Sequence, residues 1–175
     1  MESKELKIVK ILPEDNHKLL EIGRKTFYDA FGPPHNTPEN IHYYLSQKFT
    51  LEKITNEILH PESQFFFVMH HDQIIGYVKL NSGTAQTEVI KGNSIEIERI
   101  YVIKSYQGKG VGQYIFDEVM KIAEEKKAIF IWLGVWDQNT RAIKFYERNG
   151  FKTFDKHTFM LGSEKQTDVM MKLVL

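Results

Sequence analysis

Glycines stand at alternate positions in the run Gln107-Gly108-Lys109-Gly110-Val111-Gly112. An apolar run, Ile95 to Val102, precedes them and an amphipathic one follows. The spacing reads as a strand, a turn and a glycine-rich loop that opens a helix. Glycines let backbone N–H groups approach a ligand closely, and a helix N-terminus favours an anion. The chemistry is therefore phosphate binding. A Walker loop needs G-x-x-x-x-G-K-[ST], but Lys109 precedes Gly110 and no Ser or Thr follows. A dinucleotide loop needs G-x-G-x-x-G, and Gln113 occupies the third glycine's place. A kinase would need a longer chain and a catalytic-loop signature.

Other chemistries are removed by composition. Cysteine is absent, which excludes disulfides, thiolate metal sites and a cysteine nucleophile. The seven histidines show no H-x-x-x-H or H-E-x-x-H spacing. His70 and His71 read as solvated turn residues, and no metal is expected. Basic and acidic residues balance at 23 each, which argues against nucleic acid as a partner. No apolar run is long enough to span a membrane. The N-terminus, MESKELKIVK, lacks the apolar core of a signal peptide. One domain over residues 1–175, soluble and cytoplasmic, is the expectation.

The elements that must position the loop follow from periodicity. Leu6 to Leu12 reads as a strand and Glu14 to Phe31 as an amphipathic helix. Thr37-Pro38 caps a helix through Ile41 and Leu45, and Thr50 caps another that ends before Pro61. Gln64 to His70 and Gln73 to Asn81 form a hairpin, and Ser82 to Asn93 a loop. In the next strand Ile95 and Ile97 share a face, yet the apolar pair resumes at Ile100 and Val102. Either a β-bulge near Arg99 or a strand buried on both faces gives that slip. Gly110 to Lys126 is a helix. Ala128 to Trp136 is an interior parallel strand, with Trp132 and Trp136 assigned to core packing. Asn139 caps a last helix, closed by Gly150 in a left-handed conformation. Lys152–Leu161 and Thr167–Leu175 make a second hairpin around Gly162-Ser163-Glu164-Lys165-Gln166.

The loop matches [Q/R]-x-x-G-x-[G/A], and Asn139-x-x-Ala142-x-x-Phe145-Tyr146-x-x-x-Gly150-Phe151 follows at the right distance. Together these resemble the GNAT superfamily of N-acetyltransferases. TFYDAF, SQFFFV, GYVKLN, IERIYV, IWLGVW and GSEKQTDVMM look closest to its PaiA-type spermidine/spermine N-acetyltransferases. The resemblance implies an α/β (α+β) fold, with a mixed, mostly antiparallel sheet of about seven strands flanked by helices. It implies acetyl-CoA as cosubstrate and a small primary amine as acceptor, with a polyamine such as spermidine or spermine leading. Alternatives are a protein lysine or N-terminus, an aminoglycoside, or an acetyl-CoA-binding regulatory module without turnover. A monomer and a homodimer are both compatible with the sequence.

The resemblance also distributes roles. The backbone at Ile100, Tyr101 and Val102 would pair with the pantetheine arm. Gln107, Gly108, Lys109, Gly110, Val111 and Gly112 would cradle the pyrophosphate, and Asn139 would hydrogen-bond the pantetheine. Lys109, Lys144 and Arg148 are candidates for the ribose phosphate. Tyr146, a phenol protonated at neutral pH, is the candidate general acid. An alkylammonium must lose a proton before it attacks, and Glu98, with Glu96 on the same strand face, is the candidate base through water. Asp29, Glu96, Glu98 and Asp137 are candidates to bind a polycation. With no cysteine, direct attack is the simplest scheme.

Overall fold

A computed structural model describes residues 5–161 and 164–175. Residues 1–4 of the segment read for a leader, and Gly162 and Ser163 of the expected last turn, lie outside the described residues. Along the chain run β1 (Leu6–Lys10), α1 (Asn16–Phe31), α2 (Pro38–Lys48), α3 (Leu51–Leu59), β2 (Ser63–His70) and β3 (Gln73–Asn81). Then come β4 (Ser94–Val102), α4 (Val111–Glu125), β5 (Phe130–Trp136), α5 (Thr140–Arg148), β6 (Lys152–Leu161) and β7 (Glu164–Val174). The strands form one seven-stranded sheet in the order β1-β2-β3-β4-β5-β7-β6. Neighbours pair antiparallel except β4 and β5, which are parallel and joined through α4. Among the described residues no helix is long and apolar enough to cross a membrane.

Local signals place the helix ends. The hydroxyls of Thr37 and Thr50 accept from the amides of Asn40 and Lys53, and the Asn139 side chain accepts from Ala142 N–H. Each satisfies a donor that the first turn of a helix leaves unpaired. Gly150 adopts φ 88°, the left-handed conformation that ends a helix before β6. The core lies between the sheet and its helices. Val111, Ile115, Val119 and Ala123 of α4 pack with Ile95, Ile97, Ile131 and Leu133. Ile131, Trp132 and Leu133 are all buried, so β5 is covered on both faces.

Two features correct the sequence reading. β7 begins at Glu164, not Thr167, because the hairpin ladder runs out to Leu161↔Glu164. Trp132 and Trp136 are buried but stand outside the main hydrophobic core. They face a cleft, and their indole N–H groups donate to Gln86 and Gln166 at 2.6 and 2.7 Å.

The slip in β4 is a bulge. Lys79 pairs with Arg99 and Leu80 with Ile97, so Glu98 has no residue opposite it. The parallel ladder with β5 is equally brief, holding only Ser94↔Phe130, Ile95↔Ile131 and Glu96↔Trp132. Beyond Glu96 the two strands diverge, and an edge of β4 opens in the middle of the sheet.

Candidate active site

The bulge sorts the side chains of β4. Glu96, Glu98, Arg99 and Tyr101 line a cleft of about 500 Å³. Ile100 and Val102 line a second cleft, of about 420 Å³, that contains the glycine loop. Without the extra residue, strict alternation would set Arg99 on the opposite face from Glu98. A third space of about 320 Å³ follows the gap between β4 and β5 from Glu98 and Tyr101 to Asn139 and Tyr146. It shares residues with both other clefts, so the three meet at the divergence of the strands.

The second cleft is built for an anion. Gly108 and Gly110 take φ 75° and 83°, conformations costly for other residues. They turn the chain into α4, whose first amides point out of the helix end. A Cβ on Gly110 would meet nothing within 4 Å, so its α-carbon borders open space. Arg141 and Arg148 line the same cleft. Lys109 lies with its ammonium 5.4 Å from the ring of Tyr106. Gln107 donates to the carbonyl of Val102 at 2.9 Å and so ties the loop to the end of β4.

Tyr146 lines both the glycine-loop cleft and the gap between the strands. It is 5% exposed, wedged against Phe145 and Phe151. Burial raises its phenol above the ordinary value, so it holds its proton at neutral pH. Asn139 borders both spaces too. Its Oδ1 is occupied by the helix cap, which leaves the Nδ2 group as its donor toward a ligand.

The first cleft is aromatic and acidic. Phe27 and Phe31 of α1, Tyr44 of α2, Trp132 and Trp136 form its walls. Glu88, Glu96, Glu98 and Asp168 supply carboxylates, set against Lys48 and Arg99. These carboxylates differ in state. Burial alone would raise the pKa of Glu98, but the charges of Arg99 and Lys79 and hydrogen bonds from Lys79 and Asn81 outweigh it, and the value falls below the ordinary one. Its oxygens lie 2.5 Å from Lys79 Nζ and 3.1 Å from Arg99 Nη2, and Asn81 donates at 2.6 Å. Glu57 of α3 bridges the same two cations at 2.9 Å each. Glu96 is raised by burial, against hydrogen bonds from Thr87 and Asn81. Asp168 is pushed up to about 6 by burial, with His157 opposing and Asp137 adding to the shift.

Asp168 was absent from the sequence reading. It sits on β7 opposite Trp136 of β5 and His157 of β6. A Cβ on neighbouring Gly134 would come 3.3 Å from its Oδ2, so the carboxylate lies over the one β5 position without a side chain. A glycine inside an interior strand signals such an approach. The other expected residues divide between the spaces. Ile100, Val102, Gln107, Gly108, Gly110, Val111, Gly112 and Asn139 line the glycine-loop cleft, and Tyr101 borders the other two. Asp29 is exposed and borders the gap between the strands rather than the carboxylate cleft. Lys109, Asp137 and Lys144 border none of these three spaces.

Residues 22–151 match the family described as Acetyltransferase (GNAT) family. The chain belongs to that family. This GNAT protein is 37% identical over 170 residues to an uncharacterised N-acetyltransferase of Lactobacillus delbrueckii subsp. lactis, covering 97% of this chain and 98% of the relative. It is 28% identical over 154 residues to the spermidine N(1)-acetyltransferase of Thermoplasma acidophilum, covering 86% and 90%. The crystal structure of the PaiA N-acetyltransferase from Thermoplasma acidophilum in complex with coenzyme A superposes with a TM-score of 0.78 at 25% identity, covering 97% and 99%. The chain is an acetyl-CoA-dependent N-acetyltransferase.

The residues present fit that cosubstrate. The open glycine turn, the N-terminus of the 15-residue α4 and two arginines suit a pyrophosphate. The edge of β4 beyond Glu96 offers backbone donors and acceptors that β5 leaves unpaired, and an extended amide-bearing arm can pair with them as another strand would.

Proposed function

We propose that this GNAT enzyme acetylates a polyamine or a similar small polycationic amine, binding it in the carboxylate cleft. The observation that carries the reading is the disposition of Glu96, Glu98 and Asp168 within an aromatic enclosure. Carboxylates attract ammonium groups, and Tyr, Phe and Trp rings stabilise cations or alkyl segments between them. The similarity to a spermidine acetyltransferase supports the same acceptor class.

When bound, acetyl-CoA supplies an acetyl group activated as a thioester. Gly108, Gly110, Gly112 and the first amides of α4, including Val111, hold its pyrophosphate. The exposed edge at Ile100, Tyr101 and Val102 holds the arm, with Asn139 and Gln107 beside it. Backbone N–H groups on that edge favour negative charge as it develops on a carbonyl oxygen. Tyr146, kept protonated by burial, donates a proton to the sulfur that leaves.

The attacking amine must first be neutral. Glu98 is a poor acceptor of its proton, since Lys79, Arg99 and Asn81 already occupy its oxygens. We assign that step to Asp168. Its value of about 6 keeps it ionised at neutral pH yet more basic than an ordinary aspartate. Glu98 and Glu96 then serve to bind the acceptor and set its orientation.

A thiol-release assay over spermidine, spermine, a monoamine, a peptide lysine and an aminoglycoside tests the reading. The expected result is kcat/KM highest for the polyamines. Preference for the peptide or aminoglycoside would overturn the acceptor class. Acetyl-CoA binding without turnover on any amine would favour a regulatory module instead.

A further inference from the structure

Outside the active site, Glu5, His70 and His71 bring one potential ligand atom each to within 4.8 Å of the others. The cluster lies where β1 starts beside the β2–β3 turn. His71 N–H approaches the Glu5 carbonyl at 3.4 Å. His71 takes φ 51°, a left-handed conformation uncommon outside glycine and asparagine, and its ring stands 4.4 Å from that of His70.

Both ring nitrogens of His70 have a partner, Tyr106 at Nδ1 and Glu5 at Nε2. Tyr106 has one hydroxyl proton and donates it to Gln73 Oε1 at 3.2 Å. When that proton is directed to Gln73, the Tyr106 oxygen accepts from His70 Nδ1, 3.1 Å away. A neutral His70 with its proton on Nδ1 presents a bare lone pair at Nε2. That lone pair faces Glu5 Oε2, which is also an acceptor, at 3.3 Å. With the proton on Nε2 the two atoms form an ordinary hydrogen bond, and with it on Nδ1 they can share a bound cation. Ligands of a tetrahedral zinc ion with bonds of about 2.0–2.1 Å stand about 3.3–3.4 Å apart, so the pair already has the spacing of one edge of such a site. A hydrogen bond at Nδ1, on the far side of the ring, is the support that metal-bound histidines carry.

We propose that Glu5, His70 and His71 bind a divalent transition-metal ion of zinc type, with solvent completing its shell. Glu5 Oε2 and His70 Nε2 are the pre-set pair. His71, exposed on the turn, rotates to supply the third ligand. The site is connected to the cofactor loop through one residue. Tyr106 holds His70 by its hydroxyl and borders the glycine-loop cleft, one position before Gln107. Bound metal therefore anchors the approach to the loop as well as the end of the sheet.

The test is calorimetry of chelator-treated full-length protein with zinc chloride, beside Glu5→Gln and His71→Asn. Asparagine tolerates the left-handed backbone, so His71→Asn is the variant expected to retain the wild-type fold. The expected result is one zinc per chain in the micromolar range, weakened more than tenfold in both variants. Tyr106→Phe should also weaken zinc, by about tenfold, through loss of the supporting hydrogen bond. Absence of stoichiometric zinc binding, or equal affinity in wild type and both variants, would overturn the site. A melting temperature that zinc does not raise would overturn it equally.

Discussion

Lys79 Nζ stands 2.5 Å from Glu98 Oε2, joining β3 to the bulged residue of β4. Lys79 is 5% exposed, and its other partner is Glu57 of α3. The pair thus holds the bulge against both sheet and helix. Lys79→Met should remove one of two cations facing Glu57 and Glu98. Breaking a buried ion pair on one side costs about 3–5 kcal/mol, and the remaining Arg99 should keep the loss near about 3 kcal/mol. Urea denaturation measures it. A midpoint equal to that of wild type would remove the network as a support of the bulge.

Asp168 yields a stability prediction with a definite sign. Its folded value of about 6 lies above the ordinary 3.8, so the fold favours the neutral acid. The stabilisation from this group is complete below about pH 4 and is lost as the pH rises through about 6. Asp168→Asn should therefore be more stable than wild type at pH 8, on the order of 2 kcal/mol, with the gain vanishing near pH 4. Thermal melts at the two pH values check this. A variant destabilised at pH 8 would show that the buried carboxylate is held by favourable contacts.

The same residue shapes the rate. If Asp168 takes the proton of the acceptor, kcat/KM should fall on an acid limb near pH 6. An alkaline limb should follow the free amine, near about 10. Asp168→Asn should abolish the acid limb and lower kcat/KM by about 100-fold or more. Glu98→Gln should instead raise KM for the polyamine while leaving that limb in place. An acid limb retained in Asp168→Asn would return the role to another group.

These expectations separate what a sequence can show from what it cannot. The caps at Thr37, Thr50 and Asn139 and the slip in β4 were legible because each is written within a few adjacent residues. The slip from Ile97 to Ile100 is a break in local alternation, and the structure resolves it as an unpaired Glu98. Asp168 is different, since its neighbours Trp136 and His157 come from other strands. The only local hint was Gly134, whose missing side chain leaves room for it. Trp132 and Trp136 misled because alternate apolar residues on an interior strand look alike whether they face a core or a cleft. The state of Glu98 was equally hidden, since Lys79 and Glu57 reach it from β3 and α3.

Tyr146 separates chemistry from binding. Its hydroxyl is asked only to protonate sulfur, while its ring packs between Phe145 and Phe151. Tyr146→Phe keeps the ring, so melting temperature and acetyl-CoA affinity should stay near wild type. The rate should fall by about 100-fold. Single-turnover acetyl transfer read beside calorimetry makes the distinction. An unchanged rate would remove Tyr146 as the acid.

Gly110 tests the anion site, and two substitutions there separate conformation from charge. Gly110 has φ 83° and open space where a Cβ would project. Alanine therefore meets no clash but must adopt the left-handed conformation, at about 1–2 kcal/mol. Gly110→Ala should lower the melting temperature and weaken acetyl-CoA modestly. Aspartate carries the same backbone strain and adds a carboxylate beside the pyrophosphate. Gly110→Asp should weaken acetyl-CoA by more than tenfold beyond the alanine variant, and added salt should narrow the gap as it screens the repulsion. Equal affinities in the two variants would show that Gly110 does not face the phosphates.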